Sequence, residues 1–165
     1  MIKIINQLFS IFFTFLVKLR VSAYASPLRV NGLSIVSKHT ILGKNVNFNG
    51  MRITGAGTVN IGNNFHSGQD CLMITQYHNF DKGNKIPYDE SFITKDIIIE
   101  DNVWIGHRVI ILAGVRIGEG AIIQAGSVVV NNIPKYAIAG GHPAKVFSMR
   151  DVKHYELLKE QEKFH

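Results

Sequence analysis

No acidic side chain occurs before Asp70. Residues 1–69 carry seven basic residues (Lys3, Lys18, Arg20, Arg29, Lys38, Lys44 and Arg52), whereas the rest of the chain has eleven basic and twelve acidic residues that nearly cancel. The net charge of +6 therefore belongs to the N-terminal part, whose natural partner is an anionic surface. Cysteine is almost missing as well. Cys71 stands alone, which excludes an internal disulfide and suits a reducing compartment. Proline is scarce, four residues against 15 glycines, so the glycine content does not mark a low-complexity chain. No apolar run is long enough to cross a bilayer. The uncharged stretch at residues 4–17, "IINQLFSIFFTFLV", falls short of the ~20 residues a spanning helix needs. What remains is one domain of 165 residues, 46% hydrophobic, with enough length for a real core.

The apolar residues that are present repeat in sixes. Ile93, Ile99, Ile105, Ile111, Ile117, Ile123 and Val129 keep this step without a slip. Four residues after each comes a second apolar or small residue: Ile97, Val103, Val109, Val115, Ala121, Ser127 and Ile133. A helix would ask for apolar spacing of three and four, and a simple strand for two. A sustained period of six fits short strands joined by turns, each coil stacked on the one before. Upstream, Ile53, Val59, Ile61 with Phe65, Ser67 with Cys71, and Met73 with Tyr77 continue the pattern. Val36, Leu42 with Val46, and Phe48 follow it in a register shifted by one. Glycine succeeds the apolar position at Gly43, Gly62, Gly106 and Gly118, where a tight corner has little room for a side chain. The pattern ends at Pro134, which cannot donate to a strand ladder.

Met73 is the last register position before a polar, turn-rich stretch, "TQYHNFDKGNKIPYDESF", and Ile93 the first after it. A loop at 75–92 has been spliced into a regular scaffold, and such excursions are commonly functional. Trp104 follows the inward Val103 and is expected to point outward, while Cys71 reads as a small core residue.

The segments "VWIGHRVIILAGVRIGEGAIIQAGSVVV" and "IAGGHPAKV" resemble the hexapeptide-repeat acyltransferases, over residues 35–150. The resemblance implies an all-β fold: a left-handed parallel β-helix of hexapeptide repeats, assembled as a homotrimer. To it are added an N-terminal amphipathic helix and a short C-terminal helix. The expected boundaries are 1–34 for the N-terminal segment and linker, 35–134 for the β-helix, and 135–165 for the C-terminal loop and helix.

The resemblance also implies acetyl-CoA as donor substrate and a hydroxyl of a sugar or glycan as acceptor. In that family the inserted loop carries or follows the catalytic histidine, and His78 stands in the corresponding place. Imidazole, with an ordinary pKa of about 6.5, takes up a proton from an attacking hydroxyl at neutral pH. Asp81, Asp89 and Glu90 are the acids within reach to orient it. His107, after "VWIG", and Ala125, in "QAGS", map to donor-contacting positions, as do Val130 and Asn131 just past the last strand. Lys145, in "HPAKV", maps to a basic residue set near the nucleotide phosphate, a role a cation suits. The family often has a small polar residue where His107 stands and glycine where Gln124 stands, so this chain departs from the pattern at both positions.

At the N-terminus, Lys3, Gln7, Ser10, Thr14 and Lys18 form one stripe of a helical wheel and leave a wide apolar face. That face is suited to peripheral contact with a membrane through residues 4–17, or to docking on the rod or a sister chain. "AYA" at residues 23–25 mimics a signal-cleavage site, but Lys18 and Arg20 intervene, and an acetyl-CoA-dependent enzyme finds its donor in the cytoplasm. At the C-terminus, Ser148 with Asp151 resembles a capping box and Glu160 with Lys163 a helical ion pair.

Other acceptors, a streptogramin-type antibiotic or serine, stay open within the family, although serine acetyltransferases carry a large helical N-terminal domain that this length does not supply. Metal-dependent hydratases of the same fold bring three histidines together at the trimer interface, two commonly five residues apart on one coil, and no pair among the seven histidines has that spacing. Neither a metal nor a nucleic acid is expected. A catalytically silent scaffold is the third reading.

Overall fold

The computed structural model describes residues 2–165, with side chains from Lys3 onward. Parallel strands of two to nine residues wind into a coil of about six turns with three faces. On the first face, Ala23–Tyr24, Thr40–Leu42, Val59–Ile61, Ile97–Ile99 and Arg116–Ile117 pair in succession, and Ile133 bridges to Ile117. The second face begins with Leu28–Val30 and runs through Val46, His66, Trp104–Ile105 and Ile122–Ile123 to Ile138 and Ala139. The third runs from Ile35 through Arg52, Leu72 and Ile110–Ile111 to Val128–Val129.

The residues that keep the six-step register fill the interior. Every one from Ile97 to Ile133 is buried, as are Val36, Leu42, Val46, Phe48, Ile53, Val59, Ile61, Phe65, Ser67, Cys71 and Met73. Trp104 is 53% exposed, as its outward parity requires. Two register positions depart from expectation. Ile93 and Tyr77 pair with each other in an antiparallel hairpin outside the coil, and the coil resumes at Ile97. The coil is also longer than residues 35–134. Ala23–Tyr24 and Leu28–Val30 form rungs within the stretch read as a linker, and Ala137–Gly141 adds one beyond Pro134.

Corners between the first and second faces show why asparagine recurs there. Asn45, Asn64 and Asn102 all take left-handed backbone angles, with φ of 59°, 52° and 59°, a conformation asparagine tolerates better than most residues. Their amides stack into a ladder. Asn45 Nδ2 donates to Asn64 Oδ1 at 3.0 Å, and Asn64 Nδ2 to Asn102 Oδ1 at 2.8 Å. Asn102 Nδ2 then donates to the Tyr155 hydroxyl at 2.8 Å, which ties the C-terminal helix α2 (Val152–Glu160) to this edge. Glu119 strengthens the tie, accepting from the Tyr155 hydroxyl at 3.2 Å and pairing with Lys159. The N-cap of α2 is Asp151, whose Oδ1 accepts from His154 N at 3.0 Å. Ser148 lies instead in the strand Ala144–Met149, so the capping box is not formed. Lys163 falls past the end of α2, and no ion pair joins it to Glu160 among the described residues.

Both open edges of the coil are covered, which removes unpaired strand groups from solvent. The hairpin of Ala137–Gly141 with Ala144–Met149 covers the last turn. Helix α1 (Ile2–Arg20) covers the first: Thr14 Oγ1 accepts from Val30 N at 3.0 Å, Ser10 Oγ donates to Asn31 Oδ1 at 3.2 Å, and Val17 is buried in the core. Two residues of the predicted polar stripe are thus on the docked side of the helix.

Candidate active site

An arm leaves the coil between the third and first faces. Its base is held by Thr75, which is fully buried and whose hydroxyl donates to Thr54 O at 3.0 Å while accepting from Gly57 N at 3.1 Å. The chain returns where Lys95 N donates to Thr75 O at 2.9 Å. Between these points Gln76–His78 and Phe92–Thr94 form an antiparallel pair, with His78 opposite Phe92. The loop read at 75–92 is therefore a structured hairpin, with Thr75 belonging to the coil.

His78 is half-buried at the tip of this pair. Its ring stacks on Tyr88, centroids 3.8 Å apart and planes 18° apart, and leans on Phe92 at 4.4 Å and 34°. Nδ1 is buried and has no hydrogen-bond partner among the described residues. The candidate orienting acids are not the missing partner. Asp89 accepts from Asn84 N at 2.7 Å and from Ser91 N and Oγ at 2.8 and 2.5 Å. The Ser91 hydroxyl, with those backbone N–H groups, holds the Asp89 carboxyl below its ordinary range. Glu90 pairs with Lys85 at 2.6 Å, and Asp81 makes no hydrogen bond to His78. The ring is fixed by aromatic stacking rather than by a carboxylate.

Tyr88 and Phe92 were not singled out by the sequence reading. Their signal was modest: two aromatic side chains inside an otherwise polar insertion. Phe80 and Ile86 are also exposed on the arm, at 60% and 95%, and Phe80 lies against Tyr77 with ring centroids 6.1 Å apart.

The five residues mapped to the donor fall on two edges of the coil. His107 and Ala125 occupy successive turns of the edge between the second and third faces, where Gly126 N donates to His107 O at 2.8 Å. Both are exposed. His107 Nδ1 accepts from Gln69 N at 2.8 Å, so its ring serves the corner itself. Lys145 is exposed and pairs with Gly140 at the end of this same edge. His142, nearby, contacts Gly126 O and is structural. Val130 and Asn131 are exposed on the other edge, between the third and first faces, from which the arm springs. There the neighbouring Asn132, not Asn131, accepts from Arg116 N at 2.8 Å.

One edge thus presents a stack of backbone corners ending in a cation, and the other presents an imidazole. The first suits a long polar chain carrying phosphate, and the second suits proton transfer. Cys71, the alternative nucleophile, is buried, its Sγ donates to Gly106 O at 3.1 Å, and burial pushes its thiol up from the ordinary value. It takes no part in an exposed site. Among the described residues, no three His, Cys, Asp or Glu side chains converge as metal ligands would.

Comparison with known proteins agrees with this architecture. The family described as bacterial transferase hexapeptide (six repeats) matches residues 96–131. A galactoside acetyltransferase solved in complex with coenzyme A superposes with a TM-score of 0.75 at 28% identity, over 86% of this chain and 71% of that one. A maltose O-acetyltransferase from Clostridium difficile 630 gives a TM-score of 0.61 at 28% identity, over 77% of this chain and 65% of that one. A Schizosaccharomyces pombe protein that carries an acetyltransferase name is 44% identical over 87 residues, 53% of this chain and 41% of that protein. The chain thus spans less than half the length of this curated relative.

Proposed function

We propose that the chain is a hexapeptide-repeat acetyltransferase that moves an acetyl group from acetyl-CoA to a sugar hydroxyl, a reading supported by the repeat match at residues 96–131 and by the acetyltransferases it resembles. The acceptor in this reading is a precursor of a cell-surface polysaccharide, met on the cytoplasmic side where the donor is made. The observation that carries the reading is His78: a half-buried imidazole, clamped between Tyr88 and Phe92 on an arm outside the hexad coil.

His78 acts as general base. It accepts the hydroxyl proton as the acceptor oxygen bonds to the thioester carbonyl carbon, and it returns that proton to the sulfur as the carbon–sulfur bond breaks. The products are the acetyl ester and free coenzyme A, with no covalent link to the protein. The base works through Nε2 with Nδ1 carrying its hydrogen, and the imidazolium stage needs an acceptor for Nδ1–H. A buried donor without a partner costs about 1–3 kcal/mol. Among the described residues no side chain meets that need, which supports a site completed by a neighbour or by the acceptor sugar.

A homotrimer fits the division of the site between two edges. Three-fold packing would set the His107, Ala125 and Lys145 edge of one protomer against the Val130, Asn131 and His78 edge of the next. The pantetheine arm would lie in the cleft, with Lys145 beside a nucleotide phosphate.

The experiment is to mix the protein with acetyl-CoA and a panel of free sugars and oligosaccharides. Release of the coenzyme thiol is followed together with the mass of each sugar. Sugar-dependent release with one acetyl group added per product supports the proposal. Thiol release with no acetylated sugar, or none at all across the panel, counts against it.

A further inference from the structure

The side of α1 turned away from the coil is apolar. Ile4, Leu8, Ile11, Phe12, Phe15 and Leu19 follow the spacing of one helical face, and each is more than half exposed. The docked side makes its contacts through Val17 and the hydroxyls of Ser10 and Thr14. A helix of a soluble domain ordinarily buries its apolar face and shows its polar one. Here six large side chains in register are left for another occupant.

The charges around this face select the occupant. Helix α1 carries Lys3, Lys18 and Arg20 and no acidic residue, with Lys18 and Arg20 in its last turn. Arg29 is exposed on the adjoining rung, and Tyr24, 43% exposed, lies under the Lys18 ammonium at 5.1 Å. A second copy docked face to face would bring these cations together, with no carboxylate before Asp70 to pair them. An anionic lipid surface accommodates both features. Acyl chains receive the Ile, Leu and Phe face, and headgroup phosphates receive the lysine and arginine heads. The helix has 19 residues, and no described helix is long and apolar enough to cross a membrane. It would lie in the plane of the interface.

We propose that α1 is an in-plane anchor that seats the first turn of the coil on an anionic phospholipid surface. This inference rests on the helix alone and stands or falls apart from the catalytic reading.

The test is co-sedimentation of the full chain with vesicles of pure phosphatidylcholine, or of phosphatidylcholine mixed with phosphatidylglycerol. The protein is expected to partition at least about tenfold more strongly onto the anionic vesicles, and less strongly in high salt. Phe12→Glu with Phe15→Glu abolishes binding while the circular dichroism spectrum and melting curve match the parent. Lys18→Glu with Arg20→Glu, which leaves the apolar face intact, lowers partitioning about tenfold or more at low salt. Protein that stays in the supernatant with both kinds of vesicle overturns the proposal. So does a molecular mass, by light scattering, that falls in the Phe12→Glu and Phe15→Glu variant, since the face would then belong to another copy.

Discussion

The His78 imidazole lies nearly parallel to the Tyr88 ring, with centroids 3.8 Å apart and 18° between the planes. Tyr88 comes from the far part of the arm, so this contact, together with Phe92, links the closed loop to the proposed base. Offset aromatic pairs contribute about 0.5–1.5 kcal/mol beyond the area they bury. In the proposed mechanism Tyr88 positions the base and does not itself touch the reacting atoms.

Removing the stack should loosen the base without removing it. Tyr88→Ala is expected to lower kcat about 10- to 100-fold, with KM for acetyl-CoA little changed. Tyr88→Phe, which keeps the ring, should retain most of the activity. Steady-state kinetics on both variants checks this, and equal losses in the two would point to the hydroxyl instead of the stack.

Gly106 shows why glycine follows the apolar position. A Cβ placed there would lie 2.5 Å from the backbone N of Ala125 in the next turn, and only the backbone can yield. Gly106→Ala should destabilise the protein by about 1–3 kcal/mol, as overpacking does elsewhere. Thermal melts would show a fall of several degrees in Tm, and an unchanged Tm would mean that the turns are less tightly stacked than described.

His66 offers a pH-dependent test. Burial, and then the positive charge of His165, hold its pKa below the ordinary 6.5. The folded state thus binds this proton more weakly than the unfolded state. The stability it contributes is present in full above pH 6.5 and is lost as the pH falls from there through the lower folded value. His66→Gln should flatten the decline in Tm across this acid range, measured by melting the two proteins in parallel.

The interior of the coil was legible because burial imposes strict parity: every six-step residue from Ile97 to Ile133 is inside. Ile93 misled because it keeps the step while its strand has left the coil to pair with Tyr77. The first turn was missed because Leu28 and Val30 are too few to show a period, and the last because its inward residues, Ala137 and Ala139, are small. His78 could be located by its place in the insertion. Its stacking on Tyr88 and the lack of a carboxylate partner could not, because they depend on how a polar loop closes. The polar stripe of α1 was readable. That part of it would face the coil was not, since this follows from two hydroxyl hydrogen bonds to the first rung.

The most direct test of the account compares acetyl transfer from acetyl-CoA to an accepted sugar by the parent protein and by His78→Ala, with folding verified for both. A positioned base contributes about 100- to 10,000-fold, so kcat/KM should fall by that factor while binding of the donor persists. Equal rates for the two proteins would contradict it.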